Sequence, residues 1–94
     1  MAYSVDNPPA LITQNIGGGH KLWSYKSTDA ATAVRVDGYI TNARDLGMSV
    51  GDLVMVVDTD ASPIAMQMML VTVINANGSG DLSDGLAVTA TNTD

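Results

Sequence analysis

The sequence predicts a mainly β protein, a small β-barrel or β-sandwich with one short helix and an extended N-terminal arm. Three observations predict this fold class. All ten acidic residues are Asp, which prefers turns and helix caps, whereas Glu is suited to long helices. Gly, Thr, Val and Asn are abundant, and apolar runs alternate with turn-forming residues in the second half of the chain. A length of 94 residues allows one domain with one modest core.

Residues 1–19 are expected to form the arm. Two consecutive prolines, Pro8 and Pro9, exclude a helix and favour extended backbone. The short apolar piece at residues 10–12 is suited to pairing with a sheet edge or lying in the groove of a partner. Three consecutive glycines at residues 17–19 predict a hinge between the arm and the body.

The compact domain is predicted to span residues 20–94 and to begin with a strand. Along residues 21–26 the side chains alternate, and Trp23 and Tyr25 fall on the same side. This period of two is typical of a strand with an aromatic face. Such a face suits the hydrophobic core, an interface with another subunit, or stacking against a sugar ring.

A helix of two to three turns is predicted over residues 27–38. Ser27 or Thr28 is suited to cap its N-terminus, and Gly38 lies where a glycine is expected beyond the helix end. A second brief turn is predicted next, at residues 40–47, where a glycine again ends the pattern.

The rest of the chain is predicted to form strands and turns. The Asn-Gly pair at residues 77–78 is typical of a hairpin loop, and the longest apolar run is long enough to bend or bulge. The predicted strands cover residues 53–57, 64–74 and 86–91, and the predicted turns cover residues 51–52, 58–63, 75–80 and 81–85.

The charge pattern disfavours nucleic acid and anionic membranes as partners. Residues 1–44 contain all four basic residues and three Asp, a net charge of +1, whereas residues 45–94 contain seven Asp and no base, a net charge of −7. A surface this acidic repels phosphate groups. The chain has no run of about 18 apolar residues, and its first residues lack the basic and apolar regions of a signal peptide. We therefore expect neither a membrane span nor a secretion signal.

No residue pattern indicates an enzyme, a cofactor or a metal centre. The chain has no Cys and one His, which excludes disulfides and argues against a zinc site. The glycine run lacks the GxxxxGK[ST] spacing of a phosphate loop, and His20 has no nucleophile motif beside it. Asp58 and Asp60 supply only two of the oxygens that a calcium loop needs, so they are interpreted as part of a solvated turn.

Oligomerisation, or docking onto a larger surface, is expected. A chain of this length buries only about 60% of its unfolded surface, and it has no disulfide or metal to compensate. Methionines are concentrated in and before the predicted strands, and methionine suits irregular cores and adaptable interfaces. The favoured interpretation is that these side chains belong to a core strand, and the second is that they form a subunit interface. They are Met48, Met55, Met66, Met68 and Met69.

Residues 22–60, LWSYKSTDAATAVRVDGYITNARDLGMSVGDLVMVVDTD, resemble a family of short virion proteins encoded by tailed bacteriophages and prophages. The shared pattern is an aromatic strand, then S-T-D-A-x-x-x-V, then G-Y-I/F, then D-L-G-M-x-V-G-D-L-V-x-V-V-D. The similarity continues more loosely through residues 81–85 and 91–94. These motifs mark turns and strands rather than reaction chemistry, so the resemblance implies a structural, non-enzymatic virion component.

The resemblance further implies a capsid decoration, or cement, protein that binds the outer surface of the major capsid protein lattice and stabilises the head. Such a protein assembles in the host cytoplasm as a homo-oligomer, with a trimer favoured, and it uses neither nucleic acid nor membrane as a partner. The residues expected to contact the capsid or a neighbouring subunit lie in the arm and the first strand: Tyr3, Val5, Pro8, Pro9, Leu11, Ile12, Ile16, Trp23 and Tyr25.

Two other classes of function remain open from the sequence. One is a tail or head-fibre attachment module that binds carbohydrate through Trp23 and Tyr25, which predicts saturable binding to host polysaccharide. The other is a small enzyme or inhibitor made during infection, which predicts a free cytoplasmic protein absent from purified particles. No motif supports the second of these.

Overall fold

The computed structural model describes residues 3–14, 20–60 and 64–88. Within them the chain forms a six-stranded sheet and two helices of four residues each. The elements in chain order are β1 (Ala10–Gln14), β2 (Lys21–Ser27), α1 (Ala31–Val34), α2 (Ala43–Leu46), β3 (Leu53–Asp58), β4 (Ala65–Ile74), β5 (Gly80–Leu82) and β6 (Leu86–Val88). The predicted mainly β class is confirmed.

The sheet is open rather than closed. Its strand order is β1-β2-β3-β4-β5, and β6 pairs with β4 as well. The strands β2 and β3 are parallel, while the other described pairs are antiparallel. Parallel neighbours need a long crossover, and here residues 28–52 form it and cover one face of the sheet. The barrel form of the prediction is therefore wrong, because β1 ends the sheet on one side and β5 and β6 end it on the other.

The core lies between the crossover and the face of the sheet that it covers, called here the inner face. Alternation along β2, β3 and β4 turns one set of side chains toward the crossover. In the parallel pair, Trp23 is beside Val54 and Tyr25 is beside Val56. Burial of each large apolar side chain contributes about 1.5–3 kcal/mol, so this layer supplies much of the stability. Its buried members are Trp23, Tyr25, Val34, Ile40, Ala43, Met48, Val54, Val56, Met69, Val71 and Leu82.

The helix α1 is a single turn, so the prediction of a longer helix is wrong. β2 continues through Ser27, which is paired with Asp58 of β3. The hydroxyl oxygen of Ser27 accepts a hydrogen bond from the backbone N–H of Asp29 at 3.0 Å, and the residue at the N-cap, Ala30, makes no side-chain cap bond. Strand pairing thus holds the residue that was predicted to cap the helix.

The second predicted turn forms α2, so the described chain has two short helices rather than the one predicted. Gly47 ends α2 with a φ of 94°. The Arg44 guanidinium donates to the carbonyls of Asn75 at 2.8 Å and Ala76 at 3.2 Å. These carbonyls belong to the loop between β4 and β5, which confirms the predicted hairpin and places α2 beside it.

The predicted turn over residues 81–85 is partly wrong, because its first two residues belong to β5. Only Ser83, Asp84 and Gly85 interrupt the edge of the sheet, and β6 then continues along the same side of β4. Ser83 maintains the connection through the interruption: its N–H donates to the Leu70 carbonyl at 2.8 Å, and its hydroxyl accepts from the Leu70 N–H at 2.9 Å. The final predicted strand is confirmed for Leu86–Val88, and its last three residues lie outside the described chain.

Candidate functional site

The arm lies along the edge of the sheet as the strand β1. It pairs antiparallel with β2, with Ala10 opposite Ser24 and Leu11 opposite Trp23. The apolar piece that was expected to extend a sheet edge thus extends the sheet of its own chain. Among the described residues no strand pairs with the other side of β1, so its outward N–H and C=O groups form a free edge.

Of the predicted contact residues in the arm, three expose large apolar side chains. Val5 is 60% exposed, Leu11 47% and Ile12 50%. A bulge between Leu11 and Thr13 leaves Ile12 out of the pairing. The prolines differ, because the first is exposed and the second is buried: Pro8 and Pro9. Ile16 and the glycine hinge lie outside the described residues.

Trp23 and Tyr25 belong to the chain's own core. Each is only 2% exposed, and neither presents a ring face to solvent on which a sugar could stack. The indole N–H of Trp23 donates to the carboxylate of Asp52 at 3.0 Å. The two residues that sequence reasoning offered as a contact surface therefore act inside the fold.

Asp52 is the centre of a buried hydrogen-bond cluster. Its side chain accepts the backbone N–H of Lys21 at 2.9 Å and that of Ser49 at 3.0 Å, besides the indole of Trp23. The Lys21 ammonium lies 3.6 Å away. Burial acts to raise the pKa of Asp52, but these hydrogen bonds and the nearby positive charge outweigh it and hold the pKa below its ordinary value. The cluster ties the start of β2 to the end of the crossover.

The three tyrosines of the chain form a second cluster. The ring centroids of Tyr3, Tyr25 and Tyr39 lie 5.6–6.1 Å apart, a spacing typical of favourable aromatic contacts. Tyr39 donates its hydroxyl hydrogen to the buried carboxylate of Asp29, and Tyr25 therefore donates to Tyr39 at 2.8 Å. Tyr3 donates to the Asn42 side chain at 2.5 Å, which joins the arm to the crossover.

The electrostatics of this cluster favour a structural role. Burial raises the pKa of Tyr39, and its hydrogen bond to Asp29 raises it further. Burial also raises the pKa of Tyr3. Conversely, the hydrogen bond from Tyr39 helps to hold the pKa of Asp29 below its ordinary value although burial acts the other way. Tyr39 therefore stays protonated and Asp29 stays ionised near neutral pH, which is unsuited to general acid–base chemistry at that pH.

A small cleft opens beside the arm. Its volume is about 270 Å³, and it is lined by Ser4, Asn7, Tyr25, Lys26, Ser27, Thr28 and Thr59. These groups already serve the fold in part, because Asn7 donates its amide N–H to the Lys26 carbonyl at 2.7 Å and the Thr59 hydroxyl donates to the Ser27 carbonyl at 3.2 Å. The described residues that line the cleft include no carboxylate or imidazole that would complete a catalytic set.

Within the described chain, no three His, Cys, Asp or Glu side chains converge in a way that would hold a metal ion. The side chain of Asp58 instead accepts the backbone N–H of Asp60 at 3.0 Å, as in a local turn. This contact accounts for the spacing that raised the calcium hypothesis.

The second side of the sheet, called here the outer face, is apolar and open. Cross-strand neighbours in β3 and β4 form its centre, with Leu53 opposite Leu70 and Met55 opposite Met68. None of its apolar side chains belongs to the core or packs against it, and all remain half-buried or exposed. The outer face consists of Leu22, Leu53, Met55, Val57, Met66, Met68, Leu70, Leu86 and Val88.

The methionines divide between the two faces. Met48 and Met69 are buried in the core, whereas the other three cited methionines lie on the outer face. Sequence reasoning could not separate these groups, because β4 is apolar on both of its sides and therefore shows no alternation.

Comparison with known proteins identifies no relative of this chain. No family model, no curated protein and no solved structure matches the chain. In the described residues, no helix has the length and apolar character needed to cross a bilayer. A proposal about function therefore depends on the surfaces of the protein.

Proposed function

We propose that this protein is a bacteriophage capsid decoration protein, a virion component that binds the outer surface of the major capsid protein lattice and stabilises the head. The observation that carries the proposal is the free edge of β1 with its exposed apolar side chains, Val5, Leu11 and Ile12. The resemblance of residues 22–60 to phage virion proteins supports the same role.

The edge is suited to pairing with a strand of another protein. Residues 8–14 contain no charged side chain, whereas edges that must stay unpaired are often protected by lysines or inward-pointing charges. A capsid strand or extended segment can hydrogen-bond to the backbone of β1, while Leu11 and Ile12 provide apolar contacts beside it. The arm thus acts as a preformed docking strand.

A capsid lattice compensates for weak individual contacts. A short strand edge buries little area, but a homo-oligomer that engages several capsid subunits at once gains affinity through effective concentration. The net charge of −6 is compatible with a position on the outside of the shell, away from the packaged DNA. Each subunit of such a homo-oligomer would present one such edge.

The direct test is a cryo-EM map of particles purified from the host that carries the gene. We expect regular density for this chain over the capsid lattice, with β1 against a capsid subunit. Absence of the chain from every particle would contradict the proposal. Density confined to the tail or to fibres would favour the attachment module instead, which would need sugar-binding residues other than Trp23 and Tyr25 because both are buried.

A rebinding assay tests the edge itself. Leu11→Lys and Ile12→Lys place a charge at half-exposed positions, so the fold should persist while occupancy on undecorated capsids falls at least tenfold. Val36→Lys is the matched control, because Val36 is equally apolar and exposed but lies in the crossover. Deleting the arm is a poorer test, since it also removes Tyr3 from the aromatic cluster. Unchanged occupancy of both edge variants would exclude β1 as the docking strand.

A further inference from the structure

We propose that the outer face of the sheet binds the outer face of a second copy of this chain, so that two chains form a face-to-face dimer. This inference is independent of the virion role, because it concerns the purified protein alone. In such a dimer the two sheets become the two layers of a β-sandwich, with the crossovers on the outside.

The chemistry of the face favours burial. Three rows of apolar side chains cross β3 and β4, while β2 adds Leu22 to one row and β6 extends the other two. The central row contains Met55, Met68 and Leu86. Leu86 is 70% exposed, so most of its apolar surface is in contact with water unless a partner covers it. The flexible methionines in the middle can adapt to an identical surface opposite, and sheets that pack face to face bury such rows about 10 Å apart.

The described charged side chains lie away from the centre of this face, so an identical surface can pack against it. Within the described strands the charged residues on the outer side are Lys26, at the end of one row, and Asp81 of β5, which alternates with buried Leu82. Both lie at the rim of the apolar rows. Four Asp residues lie in the crossover on the inner side, and Asp84 forms an ion pair with Arg35 of that layer at 3.7 Å. The centre of the face therefore carries no charge, and the repulsion between two copies of net charge −6 is screened beyond about 10 Å.

The area of the face is sufficient for a modest dimer. The strands β2, β3 and β4 and the edge segment of residues 83–88 lie about 4.8 Å apart and contribute about six residues of about 3.3 Å each, so the face measures roughly 20 Å by 20 Å. Two copies then bury about 1,000 Å² once the relief of the side chains is included, near the lower limit for a specific interface. We therefore expect a dissociation constant in the micromolar range.

Other occupants fit the face less well. A membrane surface is disfavoured because Lys26 is the basic residue beside the apolar rows and the acidic chain is repelled by anionic lipids. A helical peptide needs a groove, whereas this face is the surface of a continuous sheet. An isologous contact requires only that the surface be complementary to itself, and the uncharged centre of the face, formed by Leu, Met and Val, satisfies that condition.

Sedimentation equilibrium of the full chain over a concentration series tests the proposal. We expect a monomer–dimer equilibrium, and Met68→Lys should raise the dissociation constant at least tenfold because it places two ammonium groups in the buried contact. Leu86→Lys serves as a second variant, and it should fold like the parent because Leu86 is exposed. Val36→Lys is the matched control and should dimerise like the parent, with unchanged circular dichroism spectra for all variants.

Covalent crosslinking gives an independent readout. The chain contains no Cys, so Met68→Cys introduces a single thiol, and a short bismaleimide should convert it to a covalent dimer while Val36→Cys stays monomeric. A parent chain that remains monomeric up to about 1 mM, a weak limit even for small interfaces, would overturn the proposal and leave the face to another partner. A trimer whose mass is unaffected by the Lys substitutions on the outer face would overturn it as well.

Discussion

The indole N–H of Trp23 donates to the carboxylate of Asp52 at 3.0 Å, and Asp52 is only 1% exposed. Trp23 lies in the middle of β2, whereas Asp52 directly precedes β3. Because these strands are parallel, no tight hairpin fixes their relative position. The buried contact does so instead, since the same carboxylate also accepts the N–H of Lys21 at the first residue of β2.

Asp52→Ala should lower the free energy of unfolding by about 3 kcal/mol, because it leaves the donors of Trp23, Lys21 and Ser49 without their acceptor in a buried site. Urea unfolding followed by tryptophan fluorescence measures this directly, since Trp23 is the only Trp. Asp60→Ala is the control, because Asp60 is exposed and its removal should change stability by less than about 0.5 kcal/mol. Equal effects of the two substitutions would contradict the structural role of Asp52.

The stability of the fold should fall in acid, and Asp52 should contribute to the fall. Its pKa is lower in the folded protein than in the unfolded chain, so below about pH 4 the unfolded chain takes up a proton that folded Asp52 does not. The stabilisation is complete above the unfolded pKa and is lost as the pH falls through the folded pKa. Urea titrations of the parent and of Asp52→Asn between pH 6 and pH 2 test this, and the variant should show a flatter profile. Parallel profiles would count against the depressed pKa.

Tyr39→Phe should destabilise the protein by about 1–3 kcal/mol, because it removes the donor to Asp29 and the acceptor for Tyr25. Tyr25→Phe is the matched comparison: it loses only the bond between two neutral hydroxyls and should cost about 1 kcal/mol. Thermal unfolding of both single variants and the double variant gives the coupling energy between them. A larger effect of Tyr25→Phe would contradict the assignment of Tyr39 as the donor to Asp29.

Alkaline pH should destabilise the fold through Tyr39. Its pKa is raised in the folded protein, so above about pH 10 the unfolded chain loses a proton that folded Tyr39 retains. The stabilisation is present below the unfolded pKa and is lost as the pH rises toward the folded pKa. Tyrosinate absorbance near 295 nm, a wavelength that reports the ionised ring, should show at least one Tyr that ionises only on unfolding. Full titration while the circular dichroism spectrum is still native would refute this expectation.

Gly85→Ala should be far more costly than Gly47→Ala. Both glycines have positive φ, at 85° and 94°, so each substitution pays a conformational cost of about 1 kcal/mol. A Cβ at Gly85 would also lie 2.9 Å from the Met68 carbonyl oxygen, whereas a Cβ at Gly47 meets nothing within 4 Å. Because the backbone of β4 cannot yield easily, we expect a total of about 3 kcal/mol at Gly85. Chemical denaturation measures both, and similar losses would show that the edge of the sheet relaxes.

Local patterns were sufficient for much of the fold. The alternation around Trp23, the apolar run that became β3 and the Asn-Gly loop after β4 were all predicted near their observed positions, because period and turn chemistry are properties of a few adjacent residues. The helix was overestimated for a reason that is not local. Ser27 carries a cap signal, but its pairing with Asp58 depends on a strand far along the chain.

The candidate site was predicted less completely. The exposed apolar residues of the arm were named from the sequence, whereas the outer face was not, since an apolar run buried on one side and open on the other has the same composition as one buried on both. Asp52 and the Tyr39–Asp29 pair were missed because their partners come from distant segments. A lone Asp in a Gly-Asp turn carries no mark of burial.

By itself the sequence determined the β-rich class, most strand positions, the turns and the acidic charge, because each of these follows from composition or from short-range periodicity. The tertiary structure alone decided that the sheet stays open, that β1 closes onto its own chain, and that one apolar face is covered while the other is not. These outcomes depend on which distant segments pair, and the parallel β2–β3 pair, with its crossover on one face, is the arrangement from which they follow.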